Sequence, residues 1–235
     1  MAKAPIVLAV DTSELKTAIA WVKATQDSIS VYKLGLEFFL TFGSDGVRAI
    51  QDETDSDIFL DLKLHDIPHT VSGAARAISN LHPKYLTVHA SGGAAMIKAA
   101  AEAVPSTLIT GVTILTSLGD TDLELIGYRK PSLESAVALA KLATQSGARA
   151  IVCSPLEIAA IRKEIGADPV IITPGVRPKG SENTDDQVRV MTPADAISAG
   201  ASLVVIGRPI TQSWANGSSA MKERAAQIAA QVLIN

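Results

Sequence analysis

Apolar runs of strand length recur eight times along the chain, and each gives way to a polar or turn-forming residue before the next helical pattern. The runs are predicted at 6–10 ending in Asp11, at 29–32 ending in Lys33, and at 58–62, which carries Asp61 and leads into Lys63. They continue at 85–88 ending in His89, at 107–115 ending in Thr116, and at 150–153 ending in Ser154-Pro155. The last two are 170–172, ending in Thr173-Pro174-Gly175, and 202–206, ending in Gly207-Arg208-Pro209. Between them, Thr12 or Ser13 is expected to cap a helix through about residue 22. Further helices are expected over about 71–80, in the alanine-rich stretch after Ser91-Gly92-Gly93, and over about 133–145, with Gly147 as a stop. Thr192-Pro193 opens another helix that Gly200 closes, and a final one covers roughly 220–233.

Strands that alternate with helices in this way must lie parallel, and eight such units suit a (β/α)8 barrel, an α/β TIM-barrel fold. No linker is long or polar enough to divide the chain, so residues 1–235 are read as a single catalytic domain. A doubly wound sheet competes. Against it, no Gly-x-Gly-x-x-Gly follows the first run, and the last strand–helix unit is as regular as the others. Hydrophobic residues make up 47% of the chain but aromatics only 4%, so alanine, isoleucine, leucine and valine must build the core. That suits helices packed closely on a parallel sheet.

The net charge of −3, with no basic tail or stripe, speaks against nucleic acid and against an anionic membrane as partners. The single cysteine, Cys153, excludes an internal disulfide and reads as a small core residue. With no secretory-type leader pattern and no apolar span of 18 residues, a cytoplasmic protein is expected.

In a barrel the C-terminal strand ends share one mouth, where active sites sit. Asp11, Lys33, Asp61, Lys63, His89, Thr116 and Arg208 all fall at or just beyond such ends. The densest group is Asp61-Leu62-Lys63-Leu64-His65-Asp66-Ile67-Pro68-His69-Thr70. Residues two apart on a strand share a face, so Asp61 and Lys63 point one way and the leucines the other. Lys33, Asp61, Lys63 and Asp66 alternate in sign, which keeps each group ionised. A lysine held between acids stays protonated. It is therefore suited to stabilise an anion and deliver a proton rather than to form a Schiff base. The competing reading is a buried ion-pair network that ties strands together.

Gly207-Arg208-Pro209 after the eighth run has the makings of a phosphate site: glycine for close approach, a helix start and a guanidinium fork. The alternative is an ordinary strand–helix turn with a surface arginine. The long polar loop after the seventh run, within 177–191, is expected to act as a lid that brings Arg177 and Gln187 onto a phosphate, or else to be a surface loop. His65 and His69 have the spacing of a helical metal pair, but Pro68 lies between them and no metal is expected. For His89, general acid and structural imidazole both stay open.

The segment Asp61 to Pro68 resembles the orotidine 5′-monophosphate decarboxylase family, in its bacterial branch. So do Leu8-Ala9-Val10-Asp11, Tyr32-Lys33-Leu34-Gly35, Thr87 to Gly93, Val112 to Ser117, Ile172 to Pro178 and Val205 to Ser213. His69 departs from that branch, which often has asparagine there. The resemblance covers the chain and implies an enzyme that works without a cofactor. It implies that Lys63 protonates C6 of the pyrimidine as carbon dioxide leaves, and that Asp61 crowds the substrate carboxylate and holds Lys63. Lys33 would bridge Asp61 and the ribose, and Asp11 would bind ribose too. Thr116 would lie by the pyrimidine, and Arg177, Gln187, Gly207 and Arg208 by the phosphate. Asp66, Ile67 and Thr70 would enter the active site of a partner subunit, making a homodimer with shared sites. The nearest rival is a magnesium-dependent sugar-phosphate decarboxylase or aldolase with the same Asp-x-Lys-x-x-Asp core. A barrel that binds a nucleotide without acting on it is a rival of a different class.

Overall fold

Strand pairing runs in sequence order and then closes on itself. In the computed structural model, which describes residues 3–178 and 191–233, the strands are β1 (Ala4–Ala9), β2 (Ile29–Gly35), β3 (Asp57–Leu64), β4 (Tyr85–His89), β5 (Leu108–Val112), β6 (Ala150–Val152), β7 (Val170–Thr173) and β8 (Leu203–Ile206). Each pairs in parallel with the next, and β8 pairs with β1, as expected for a (β/α)8 barrel. The helices α1 (Leu15–Thr25), α2 (Leu36–Gln51), α3 (Pro68–Ala77), α4 (Ala94–Ala103), α5 (Asp120–Leu125) and α6 (Ser132–Gln145) alternate with the first strands. They are followed by α7 (Ile158–Ile165), α8 (Pro193–Ser198), the short α9 (Arg208–Thr211) and α10 (Ser218–Leu233). No helix among the described residues is long and apolar enough to cross a membrane.

The period of two along each strand sorts the side chains into two cores. Val7, Val31, Phe59, Tyr85, Ala150, Ile172 and Leu203, joined by Leu108, form one cluster drawn from all eight strands. Such a set can meet only on the barrel axis. Their strand neighbours Leu8, Tyr32, Leu60, Leu86, Ile109, Ile151 and Val204 belong to the larger core between sheet and helices. Two residues beyond the axial cluster, on the same inward face, the strands present Ala9, Lys33, Asp61, Thr87, Thr110, Val152 and Val205. The polar members of this next layer are the start of the site.

Several boundaries depart from expectation for local physical reasons. The first helix starts at Leu15, and its N-cap is Glu14 rather than Thr12 or Ser13. Thr12 Oγ1 instead accepts the Glu14 N–H at 3.3 Å, an early turn ahead of the helix. The fifth strand stops at Val112, not residue 115, although the apolar run continues. Its neighbour β6 ends at Val152 ahead of Ser154-Pro155. Thr113 takes the last carbonyl, that of Val152 at 3.1 Å, and the chain then has no edge to pair with. Pro68 opens α3 three residues earlier than expected, at a position where its missing N–H costs nothing. Thr192 caps α8 as expected, accepting from the Asp195 N–H at 3.2 Å.

One strand–helix contact is close enough to test. A Cβ built on Gly111 in β5 would lie 2.8 Å from the Ala143 Cβ of α6 and 3.4 Å from Ile151 Cδ1. Helix and strand touch there almost backbone to backbone. Gly111→Val is expected to destabilise the fold by about 1–3 kcal/mol through overpacking. A urea titration should show a lower midpoint with an unchanged slope.

Candidate active site

Asp61 lies on the inner wall of β3 and is 9% exposed. Lys63 Nζ approaches its Oδ1 at 2.9 Å, and Lys33 Nζ, from β2, approaches its Oδ2 at 3.4 Å. Lys33 also faces Asp11 Oδ1 at 3.4 Å, just past the end of β1. Carboxylates and ammoniums thus alternate across three neighbouring strands. Gly35 makes room for the array: a Cβ there would sit 3.2 Å from Lys33 Nζ and 3.4 Å from Asp11 Oδ1. Burial pushes the Asp61 carboxyl up, but the Lys33 and Lys63 charges outweigh it, and hydrogen bonds from Lys63 and Thr87 add to them. The net result holds it below the usual carboxylate range.

These groups line a cavity of about 310 Å³ at the C-terminal mouth. Its floor is Phe59 from the axial cluster, and Thr116 and Cys153 contribute to its wall. Cys153 is buried, and burial raises its thiol, which removes it as a nucleophile at neutral pH. The same cavity is lined by Arg177, Gly207 and Arg208. Arg177 follows β7, the strand directly across an eight-stranded barrel from β3. The chain turns at Gly175, whose φ of 78° suits glycine. It then pairs with its own return: the Arg177 N–H donates to Met191 O at 2.8 Å and the Met191 N–H to Gly175 O at 3.4 Å. The two feet of the long loop are therefore tied together beside the cavity. Gln187 and residues 179–190 lie outside the described residues.

Asp66, Ile67 and Thr70 are absent from this cavity. They stand exposed at the start of α3, Ile67 at 64%, and Asp66 Oδ1 accepts the Ile67 N–H at 2.6 Å. His65 and His69 do not form a helical pair, because α3 begins between them at Pro68. His65 instead packs its ring against His89, centroids 5.3 Å apart. Burial lowers the His89 pKa, and the charges of His65 and Lys63 push the same way against Asp61. Thr87 escaped the sequence reading. It is fully buried, donates to Asp61 Oδ1 at 3.1 Å and accepts the Lys63 N–H at 2.8 Å. The available signal was its parity with His89 in an otherwise apolar run.

The model of the orotidine 5′-phosphate decarboxylase / HUMPS family matches residues 4–223. The chain belongs to that family. A relative from Thermobifida fusca (strain YX), named orotidine 5′-phosphate decarboxylase, is 50% identical over 217 residues, which is 92% of this chain and 93% of the relative. One of the same name from Wolbachia pipientis is 45% identical over 218 residues, 92% and 95% of the two chains. The crystal structure of orotidine 5′-phosphate decarboxylase from Lactobacillus acidophilus superposes with a TM-score of 0.83 at 33% identity, over 98% of this chain and all of that one. The family's barrel and this chain's barrel therefore coincide along nearly the whole sequence.

The lowered Asp61 pKa has a consequence for stability. A carboxyl held below its unfolded value of about 3.9 stabilises the fold fully above that pH and loses its contribution as pH falls through the folded value. Comparing wild type with Asp61→Asn by urea melts, the stability difference should be constant from pH 7 to about 5 and shrink below about pH 4. A difference that grew on acidification would contradict the charge array.

Proposed function

We propose that the protein decarboxylates orotidine 5′-phosphate to uridine 5′-phosphate, a step of pyrimidine nucleotide synthesis in the cytoplasm, with no cofactor. The carrying observation is Lys63 Nζ held 2.9 Å from buried Asp61 in a cavity that Arg177 and Arg208 also line. Loss of carbon dioxide from C6 leaves an electron pair in an in-plane orbital that the ring cannot delocalise. A fixed ammonium at that carbon supplies both the opposing charge and the proton. In this reading the C6–carboxylate bond breaks, carbon dioxide departs, and Lys63 transfers a proton to C6. Solvent then restores the proton to Lys63. Asp61 orients Lys63 and faces the substrate carboxylate, and any ground-state repulsion is secondary. Lys33 and Asp11 take the ribose hydroxyls, and Thr116 lies by the pyrimidine. Arg177, Gly207 and Arg208 receive the phosphate, a distant contact whose binding energy can be used at C6. Gln187 is assigned to the phosphate on the family resemblance.

A magnesium-stabilised enediolate, the chemistry of the sugar-phosphate rival, would draw on the same acid. Both Asp61 oxygens already face ammonium groups, Oδ1 that of Lys63 and Oδ2 that of Lys33, which favours the lysine mechanism. Loss of the ultraviolet absorbance of orotidine 5′-phosphate in metal-free buffer tests this. Lys63→Ala should reduce kcat by at least about 10³-fold while its unfolding midpoint stays near wild type. EDTA should change nothing. Activity abolished by EDTA and restored by magnesium would establish the enediolate reading instead. Retained activity in Lys63→Ala would leave the cluster a purely structural one.

The enzyme is read as a homodimer on the same basis. The family resemblance implies that Asp66, Ile67 and Thr70 enter a partner's site, and their exposure outside their own cavity supports that reading. Two inactive variants, Lys63→Ala and Asp66→Ala, should then complement each other. A mixed dimer contains one site with both residues intact, so random reassociation of equal amounts should restore about a quarter of wild-type activity. No recovery on mixing, with mixed dimers shown to have formed, would refute shared sites.

A further inference from the structure

We infer that Thr87 is a positioning residue for the decarboxylation proposed above: its buried hydroxyl latches Lys63 in a left-handed backbone conformation and so aims the ammonium. Lys63 has a φ of 47° inside a strand. The other described non-glycine residue with positive φ, His82, ends a helical turn, where that conformation is ordinary. In Lys63 it is a strained conformation that the surroundings must hold in place.

The register shows where the strain comes from. Leu60 pairs with Leu86, and the next pair on the same two strands is Leu64 with Val88. Three residues of β3, Asp61 to Lys63, therefore stand opposite the single Thr87 of β4. This is a bulge of two extra residues in a parallel ladder, where bulges are rare. Inside the bulge the Lys63 N–H donates to the Thr87 hydroxyl oxygen at 2.8 Å. The hydroxyl hydrogen then goes to Asp61 Oδ1 at 3.1 Å, and that oxygen also receives Lys63 Nζ at 2.9 Å. The ring is closed: backbone nitrogen to hydroxyl, hydroxyl to carboxylate, carboxylate to side-chain nitrogen of the same lysine. One hydroxyl can accept and donate in this way, and Thr87, fully buried, has its orientation fixed by doing both.

Thr87→Val keeps the shape and removes the hydroxyl, and Thr87→Ser keeps the hydroxyl. Thr87→Val is expected to lower kcat about 10- to 100-fold with KM changed less than about threefold, and Thr87→Ser to stay within about threefold of wild type. An unchanged kcat in Thr87→Val, or an equal loss in Thr87→Ser, would overturn the latch. Should Thr87→Val not fold, Thr87→Ala carries the same expectation. Crystal structures of wild type and variant give a readout independent of turnover. Lys63 leaving positive φ in the variant supports the latch, and Lys63 unmoved, with Nζ still on Asp61, refutes it. Wild type inactive on orotidine 5′-phosphate would refute the decarboxylase reading alone, with the latch then decided by those structures.

Discussion

A single carboxylate, Asp61, holds two ammonium groups on the inner wall of the barrel, and the rest of the site is arranged around that arrangement. An isolated carboxylate so nearly buried would be costly. Here Lys33 and Lys63 lie on different oxygens, at 3.4 and 2.9 Å, and Thr87 adds a hydroxyl. The carboxyl therefore stays ionised in spite of burial. Removing any one partner leaves the others with unbalanced charge, so the cluster behaves as a unit. In the proposed reaction the same property is useful, because an ammonium already fixed in place needs no reorganisation when negative charge develops beside it.

The barrel provides this by dividing its strands into two faces. The outward face is aliphatic and packs against helices rich in alanine, with contacts as close as Gly111 against Ala143. Such a wall is stiff. The inward face is apolar at the level of Val7, Val31, Phe59 and Tyr85, and becomes charged one pleat later. Phe59 and Asp61 are successive inward residues of one strand. The dry floor and the ionic layer are thus about two residues apart, and the scaffold residues that define the floor also fix the height of the charges.

The fold was legible because its signal is periodic: eight apolar runs and the helical patterns between them need no knowledge of neighbours. The shared face of Asp61 and Lys63 was legible for the same reason, and so was the convergence of Arg177 and Arg208 on the mouth. What was not legible depends on a second strand. The early end of β5 follows from the chain after β6 giving its next carbonyls elsewhere, that of Cys153 to the Thr173 hydroxyl and that of Ser154 to the Glu157 N–H. The cap of α1 moved because Thr12 was engaged in a preceding turn. Thr87 could not be assigned from its own segment, since its partners are an N–H and a carboxylate more than twenty residues earlier. The bulge exists only as a mismatch between two strands. Asp66 read as a member of the charge cluster, yet it stands exposed outside the cavity, because the chain has left the barrel wall before reaching it.

The size of that bulge is itself constrained. Strand side chains alternate with period two, so a single inserted residue would turn Lys63 to the helix side, and every residue after it would change face. Two inserted residues preserve the alternation. Leu62 and Leu64 still pack outward against the main core, while Asp61 and Lys63 both remain inward. The ladder on β4 is nevertheless short by two residues, and the left-handed turn at Lys63 absorbs the difference. The strand thus gains an extra inward position at the depth where one carboxylate and one ammonium must meet, without disturbing the core on its other face. A regular β3 in the register of Leu60 with Leu86 would place the residue after Asp61 opposite Val88. The ammonium would then start one pleat farther up the wall relative to β4, with no hydroxyl to hold its backbone.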